Sequence, residues 1–387
     1  MQLAGRQYHD RRYKDRTNRM PQTFTPRGGN SFRRTRITTK MRNVLFSSVF
    51  LLFSMAALAQ APTPPPVPPL QYADLGDLKL ENGSVIHDCK IGYRTLGTLN
   101  AAKSNAVLFP SWFTGRSSDI AIQVLSGHYI DSTKYFVIAV DALGDGVSCS
   151  PSNSTTQHGT DFPQFSIIDM VNAEYRLVTE TLHLQHLRAV LGVSMGGMQA
   201  FQWMVSYSDF MDAVIPVVGT PQQTSYDLLL WNTELKALEA DPGYNGGKYT
   251  QPQPLPIVAL IHNMNLATPI FRANHTTRED FPQYFEQFTK EGDRFFDAND
   301  YLRQLQAMIG QDIAHGGSLY DAAKKVRAKV LIISSMQDHM VNPLPALGFA
   351  KLIHAQTLVL QSDCGHMAPG CEIGSVTAEI AKFLEQL

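Results

Sequence analysis

The chain has 387 residues with 33 Lys and Arg against 34 Asp and Glu, enough for one large α/β domain with an insertion or two smaller domains. The charge is unevenly placed: residues 1–40 hold eleven Lys and Arg against two Asp and Glu, which leaves 22 against 32, a net of −10, for the rest. An acidic body excludes nucleic acid as a partner, since phosphate contacts need clustered positive charge.

Residues 1–40 read as a basic N-terminal extension outside the mature protein. Met41-Arg42-Asn43, the apolar run from Val44 to Leu58, and Ala57-Leu58-Ala59 before Gln60 have the order of a secretory signal peptide over 41–59. A run of 15 residues is short for a membrane span, which needs roughly 20. The expectation is therefore a periplasmic or secreted protein with no stable membrane anchor after cleavage. Ala61-Pro62-Thr63-Pro64-Pro65-Pro66-Val67-Pro68-Pro69 gives a proline-rich spacer over 60–74, because consecutive prolines join neither helix nor sheet ladder. The folded domain is expected over 75–387. Export permits disulfides among Cys89, Cys149, Cys364 and Cys371, and a local Cys364–Cys371 bridge fits their spacing of seven. There is no C-x-x-C and no metal-type spacing, so neither a metal nor a cofactor is expected.

From about residue 75 strand and helix signals alternate. Val107-Leu108-Phe109 and Tyr135–Val140 are short apolar runs of the buried parallel type, and Asp169–Leu184 has helical periodicity. A strand at 187–193, a helix from Met195 to about Tyr207 and a strand at Ala213–Val218 follow. Val330–Ser334 and Thr357–Leu360 are late strands, and Ser375–Leu387 closes as a helix. Alternating elements imply a doubly wound, mostly parallel sheet. Residues 221 to about 320 break the rhythm and predict a helical cap over the sheet's carboxyl edge. Its aromatics (Trp231, Tyr244, Tyr249, Phe271, Phe281, Tyr284, Phe285, Phe288) are expected to form the packing core of that cap.

Gly192-Val193-Ser194-Met195-Gly196 lies between the predicted strand and helix. An incidental serine in a glycine-rich turn would give the same pentapeptide, but strand before and helix after is the setting of a nucleophile elbow. A serine needs a base, and the base an acid, in the chain order Ser, Asp, His. Asp338 follows the strand ending near Ser335, and His366 lies in Asp363-Cys364-Gly365-His366, just after the last strand. Both fall where strand ends meet loops at the carboxyl edge. His339 is the rival base. Oxyanion donors are expected at the backbone N–H of Met195 and of Phe113, the latter in the loop after Val107–Phe109.

These residues resemble the homoserine O-acetyltransferase family of the α/β-hydrolase superfamily, over about residues 75 to 387. Besides the elbow, the likeness is carried by Tyr135-Phe136-Val137-Ile138, Asp161-Phe162-Pro163 with Ile168-Asp169-Met170-Val171, Ala240-Asp241-Pro242 with Asn245-Gly246-Gly247-Lys248-Tyr249, and Phe296-Asp297-Ala298-Asn299-Asp300-Tyr301-Leu302. The resemblance implies an α/β-hydrolase fold, an acyl-Ser194 intermediate, Asp338 as acid, His366 as base, and a homodimer through the helical cap. Departures matter as much. Leu235 stands where the family's acetyltransferases have an arginine, and Pro256 to His262 contains none where they have a second. A carboxylate is best held by a bidentate guanidinium, which apolar side chains cannot replace. Where the family has H-A-L-T-G, this chain has Ser111-Trp112-Phe113-Thr114-Gly115, and its segment after the next strand is changed to Leu143–Pro151. An acetyl-CoA donor would also be missing outside the cytoplasm. The expected activity is thus an exported serine hydrolase of uncharged esters, with amides or lactones as further substrate classes. The alternatives are an O-acyltransferase using an acyl-CoA donor, with Arg272 supplying the charge, and a non-catalytic binding protein.

Overall fold

A computed structural model of the chain describes residues 66–251, 254–291 and 297–387. The basic extension 1–40, the signal-type segment 41–59 and the first part of the 60–74 spacer lie outside the described residues. Eight strands form one sheet: β1 (Gln71–Lys79), β2 (Val85–Leu96), β3 (Ala106–Pro110), β4 (Phe136–Val140), β5 (Leu187–Val193), β6 (Met211–Val217), β7 (Lys329–Ser335) and β8 (Gln356–Leu360). Their order is β1-β2-β4-β3-β5-β6-β7-β8. β2 runs antiparallel to both β1 and β4, and all other pairs are parallel. This is the expected doubly wound, mostly parallel sheet of an α/β-hydrolase fold.

β1 begins at Gln71, so the folded body starts inside the segment read as spacer to residue 74. β1 is exposed at alternate positions and bulged at Gly76, so it lacks the continuous apolar run that marks the inner strands. By contrast all five residues of β3 are buried, because helices cover both faces of the sheet.

In chain order the helices before the cap are α1 (Ser117–Leu125), α2 (Ile167–Arg176) and α3 (Met195–Ser206). The cap, expected at 221–320, comprises α4 (Ser225–Ala240), α5 (Pro256–Leu266), α6 (Pro269–His275), α7 (Phe281–Glu291), α8 (Ala298–Ile309) and α9 (Leu319–Ala323). After it come α10 (Pro343–Leu352), the single turn α11 (Ala368–Cys371) and α12 (Ile373–Glu385). Ile120 and Val124 of α1 join Val376, Ile380 and Phe383 of α12 on one face of the sheet. Met170 of α2, Phe201 of α3 and Phe349 of α10 pack on the other. The helical pattern after Asp169 spans two conformations: α2 ends at Arg176 and widens to a π-helical turn through Thr181.

The cap is fastened to the body by polar pairs. Thr224 and Asp227 form a capping box that starts α4, and the second oxygen of Asp227 accepts from the Asn342 N–H (2.9 Å). Gln304 of α8 donates to the Leu143 carbonyl and accepts from the Thr114 N–H, both at 3.1 Å. Both disulfides form: Cys364–Cys371, as expected, and Cys89–Cys149, which ties β2 to the loop after β4.

Glu174 of α2 is buried against Trp203, whose indole N–H donates to it at 2.6 Å, yet burial pushes its carboxyl up to about 8. The fold thus holds this proton more tightly than the unfolded chain does. The penalty is absent below about pH 4.5, grows as pH rises, and is complete above about pH 8. Glu174→Gln keeps an acceptor for Trp203 and removes the charge. It is expected to stabilise the fold by about 1–2 kcal/mol at pH 8 and by little at pH 4. Thermal melts of both proteins across that range check the sign.

Candidate active site

β5 ends at Val193, α3 begins at Met195, and between them Ser194 takes φ 56° and ψ −118°. A positive φ at a serine is a strained backbone, held here because the sheet and helix fix both ends. The glycines follow from this turn. A Cβ at position 192 would lie 2.0 Å from the Gly196 carbonyl oxygen, and one at 196 would lie 2.6 Å from that of Pro110. The Ser194 N–H is anchored on the Val217 carbonyl (2.9 Å).

The folded chain brings the three expected side chains into one hydrogen-bonded row. Asp338, in the loop after β7, is 6% exposed, and its Oδ1 accepts the N–H of Met340 (2.8 Å) and of Val341 (2.9 Å). That leaves Oδ2 to face His366 Nδ1 at 2.7 Å. A carboxylate there holds the proton on Nδ1, so Nε2, 2.9 Å from Ser194 Oγ, is the nitrogen that accepts from the hydroxyl. His366, and not the neighbouring His339, makes both contacts. It sits on a short turn entered through Gly365 at φ 67°, bracketed by the Cys364–Cys371 bridge.

Of the two expected oxyanion donors, Met195 opens α3 directly after the serine and Phe113 lines the same cavity as Ser194. Among the described residues no hydrogen bond engages the N–H of Met195 or of Phe113, whereas the Thr114 N–H is committed to Gln304. Gln199 of α3 holds this loop in place, its side-chain amide donating to the Ser111 carbonyl (3.1 Å) and to that of Met195 (3.2 Å). Gln199 and Gln304 escaped the sequence reading because an amide that braces a loop has no spacing of its own.

Ser194 and His366 open onto a cavity of about 440 Å³, walled by Trp112 and Phe113, by Trp231, Val258, His262 and Leu266 of the cap, and by Tyr301, Met340 and Met367. Among the described residues no Arg, Lys, Asp or Glu lines it. Arg272, the one candidate for an anion grip, lies over the Tyr284 ring (4.2 Å) and is not part of the wall. Behind the wall, Glu234 is fully buried and accepts from the Tyr301 hydroxyl at 2.6 Å. Burial, reinforced by the Glu234 charge, pushes that hydroxyl well above the ordinary tyrosine range, so it stays a donor. The cap aromatics divide, against expectation. Trp231 and Tyr244 are buried, but Phe281 and Phe285 are exposed on α7. Trp231 also lines the cavity, so it serves the site as well as the cap core.

A strained serine on an elbow, an imidazole in reach and a carboxylate behind it are the parts of acyl-transfer chemistry. The comparisons agree in class. The alpha/beta hydrolase fold family matches residues 106–369. The "Probable esterase" of Corynebacterium glutamicum is 31% identical over 333 residues, covering 82% of this chain and 95% of its own. The ethyl acetate hydrolase of Pseudomonas veronii is 28% identical over 312 residues, covering 77% and 89%. The crystal structure of homoserine O-acetyltransferase from Bacillus anthracis superposes with a TM-score of 0.74 at 26% identity, covering 82% and 97%. The chain belongs to the α/β-hydrolase fold family, in its homoserine O-acetyltransferase-like group. It is an enzyme of the serine-hydrolase type.

Proposed function

We propose that the protein is an exported serine esterase that passes the acyl group of a small uncharged ester through Ser194 to water. The observation that carries this is the Ser194–His366–Asp338 row opening on a cavity with no charged wall for a carboxylate. In the first half-reaction Ser194 Oγ attacks the ester carbonyl and its proton passes to His366 Nε2. The Met195 and Phe113 N–H groups stabilise the oxyanion. The C–O bond of the ester breaks, and the imidazolium returns the proton to the departing alcohol. In the second half, His366 takes a proton from water, the hydroxide attacks the acyl carbonyl, and the proton returns to Ser194 as the acid leaves. Asp338 holds the ring in the required tautomer throughout.

Likeness to homoserine O-acetyltransferases favours a second reading, transfer from an acyl-CoA to homoserine. Against it stand Leu235, the arginine-free stretch from Pro256 to His262, and the position of Arg272 over Tyr284. Mature protein starting at Gln60 is given p-nitrophenyl acetate with and without homoserine. Free acetate as the sole acetyl product, unchanged by homoserine, is the expected result. O-Acetylhomoserine as the main product would overturn it.

Export draws support from the segment 41–59 and from the pairing of all four cysteines, which suits an oxidising compartment. The N-terminus of the protein recovered from periplasm or medium should be Gln60, and an intact Met1 in the cytoplasm would refute export. Exposed Leu229, Ile257, Met264 and Ile270 on α4, α5 and α6 support a homodimer through the cap. Light scattering should give twice the chain mass, and a monomer at all concentrations would exclude it.

A further inference from the structure

The cap holds a second imidazole–carboxylate pair, on the wall of the same cavity. Glu234 Oε1 lies 3.3 Å from His262 Nδ1, and the His262 side chain, 22% exposed, faces the cavity beside Phe113 and Trp231. The ring centroids of His262 and Phe113 are 5.8 Å apart, so this pair stands next to the residue expected to donate to the oxyanion. The cluster is not fully satisfied within the protein. Glu234 Oε1 and His262 Nδ1 have only each other as polar neighbours, and the Trp231 indole nitrogen is buried without a hydrogen-bond partner. Native proteins rarely bury a carboxylate and an imidazole together on a cavity wall that is otherwise apolar, so the pair marks a polar subsite.

We infer that His262, backed by Glu234, is a specificity-determining residue that receives a hydroxyl group carried by the ester substrate. The chemistry runs from the buried side outward. Glu234 draws the imidazole proton to Nδ1, as a carboxylate behind a histidine does elsewhere. Nε2 is then a lone-pair acceptor on the cavity side, and its complement is a neutral donor. A hydroxyl fits. A carboxylate does not, since it would face a lone pair with the Glu234 charge behind it. A plain alkyl chain leaves the imidazole unpaired, which a polar subsite penalises more than a greasy wall penalises a missing methylene. Tyr301, through its bond to the other Glu234 oxygen, keeps the carboxylate aligned.

This inference rests on Ser194 acting as the ester nucleophile. Its test compares kcat/KM within two matched pairs: butyl acetate against the monoacetate of butanediol, and methyl butanoate against methyl β-hydroxybutanoate. The intact enzyme should favour the hydroxylated member of one pair by about tenfold, the worth of one net hydrogen bond. His262→Leu should bring that ratio to about one, whatever happens to the absolute rates. Glu234→Gln, which keeps the shape and the Tyr301 bond but lets an amide donate to Nδ1, should lower the same ratio. Melting curves establish that each variant is folded. A ratio near one in both pairs for the intact enzyme, or a preference that survives both substitutions, overturns the inference and leaves the cluster as packing around a fixed water. Failure of a fluorophosphonate to label Ser194 would instead fault the esterase assignment.

Discussion

Ser194→Ala is expected to remove ester turnover by at least about 10⁴-fold while leaving the melting curve in place, and His366→Ala to cost nearly as much. The near-equality follows from the geometry. Ser194 Oγ and His366 Nε2 are 2.9 Å apart in one proton path, so either loss stops the same step. The serine substitution leaves the core untouched, whereas His366→Ala removes the partner of the buried Asp338 carboxylate. Ser194 loses only a hydroxyl, and its backbone remains anchored on Val217. The double variant should be no worse than either single one, because interrupted steps do not add. A severe loss in His339→Ala with His366→Ala active would assign the base to the wrong histidine. Steady-state rates on p-nitrophenyl acetate for the parent and the four variants decide this.

Gly192→Ala is expected to be the most damaging single methyl in the molecule. The added carbon would lie 2.0 Å from the Gly196 carbonyl and 2.9 Å from the Gly197 nitrogen, all backbone atoms of a turn that cannot open without moving Ser194. The cost should exceed about 4 kcal/mol or prevent folding altogether. Gly348→Ala provides the contrast. Gly348 lies exposed within α10, where an added Cβ meets nothing within 4 Å, and the change should stabilise by about 0.5–1 kcal/mol through helix propensity. Urea melts of the two variants against the parent measure both. Equal and small effects would mean that the elbow is looser than the described geometry.

The inner strands, the elbow and the order of Ser194, Asp338 and His366 were legible because each is local. A buried parallel strand is a run of apolar residues, and an elbow is five consecutive ones. Where pattern is shared between distant segments, the sequence was silent. β1 and β2 alternate polar and apolar residues and gain their stability by pairing with each other, so no single window announces them. Cys89 and Cys149 are separated by 60 residues, and only the fold makes them neighbours. Glu234 and His262 are unremarkable on α4 and α5 taken alone. They become a pair when the two helices pack, in the stretch where the family's arginines are absent. The exposed α7 aromatics went wrong for the opposite reason: an apolar stripe tells that a face is sticky, not what covers it.

In the proposed reaction acyl groups pass through Ser194 and are taken up by water. Turnover of excess p-nitrophenyl acetate in ¹⁸O-water, rapidly quenched and followed by mass spectrometry of the peptides and of the released acetate, tests both halves at once. The expected result is a transient acetyl group on the peptide containing Ser194, and released acetate that carries one heavy oxygen. An acetyl group on another residue, or acetate formed at full rate with Ser194 never modified, would contradict it.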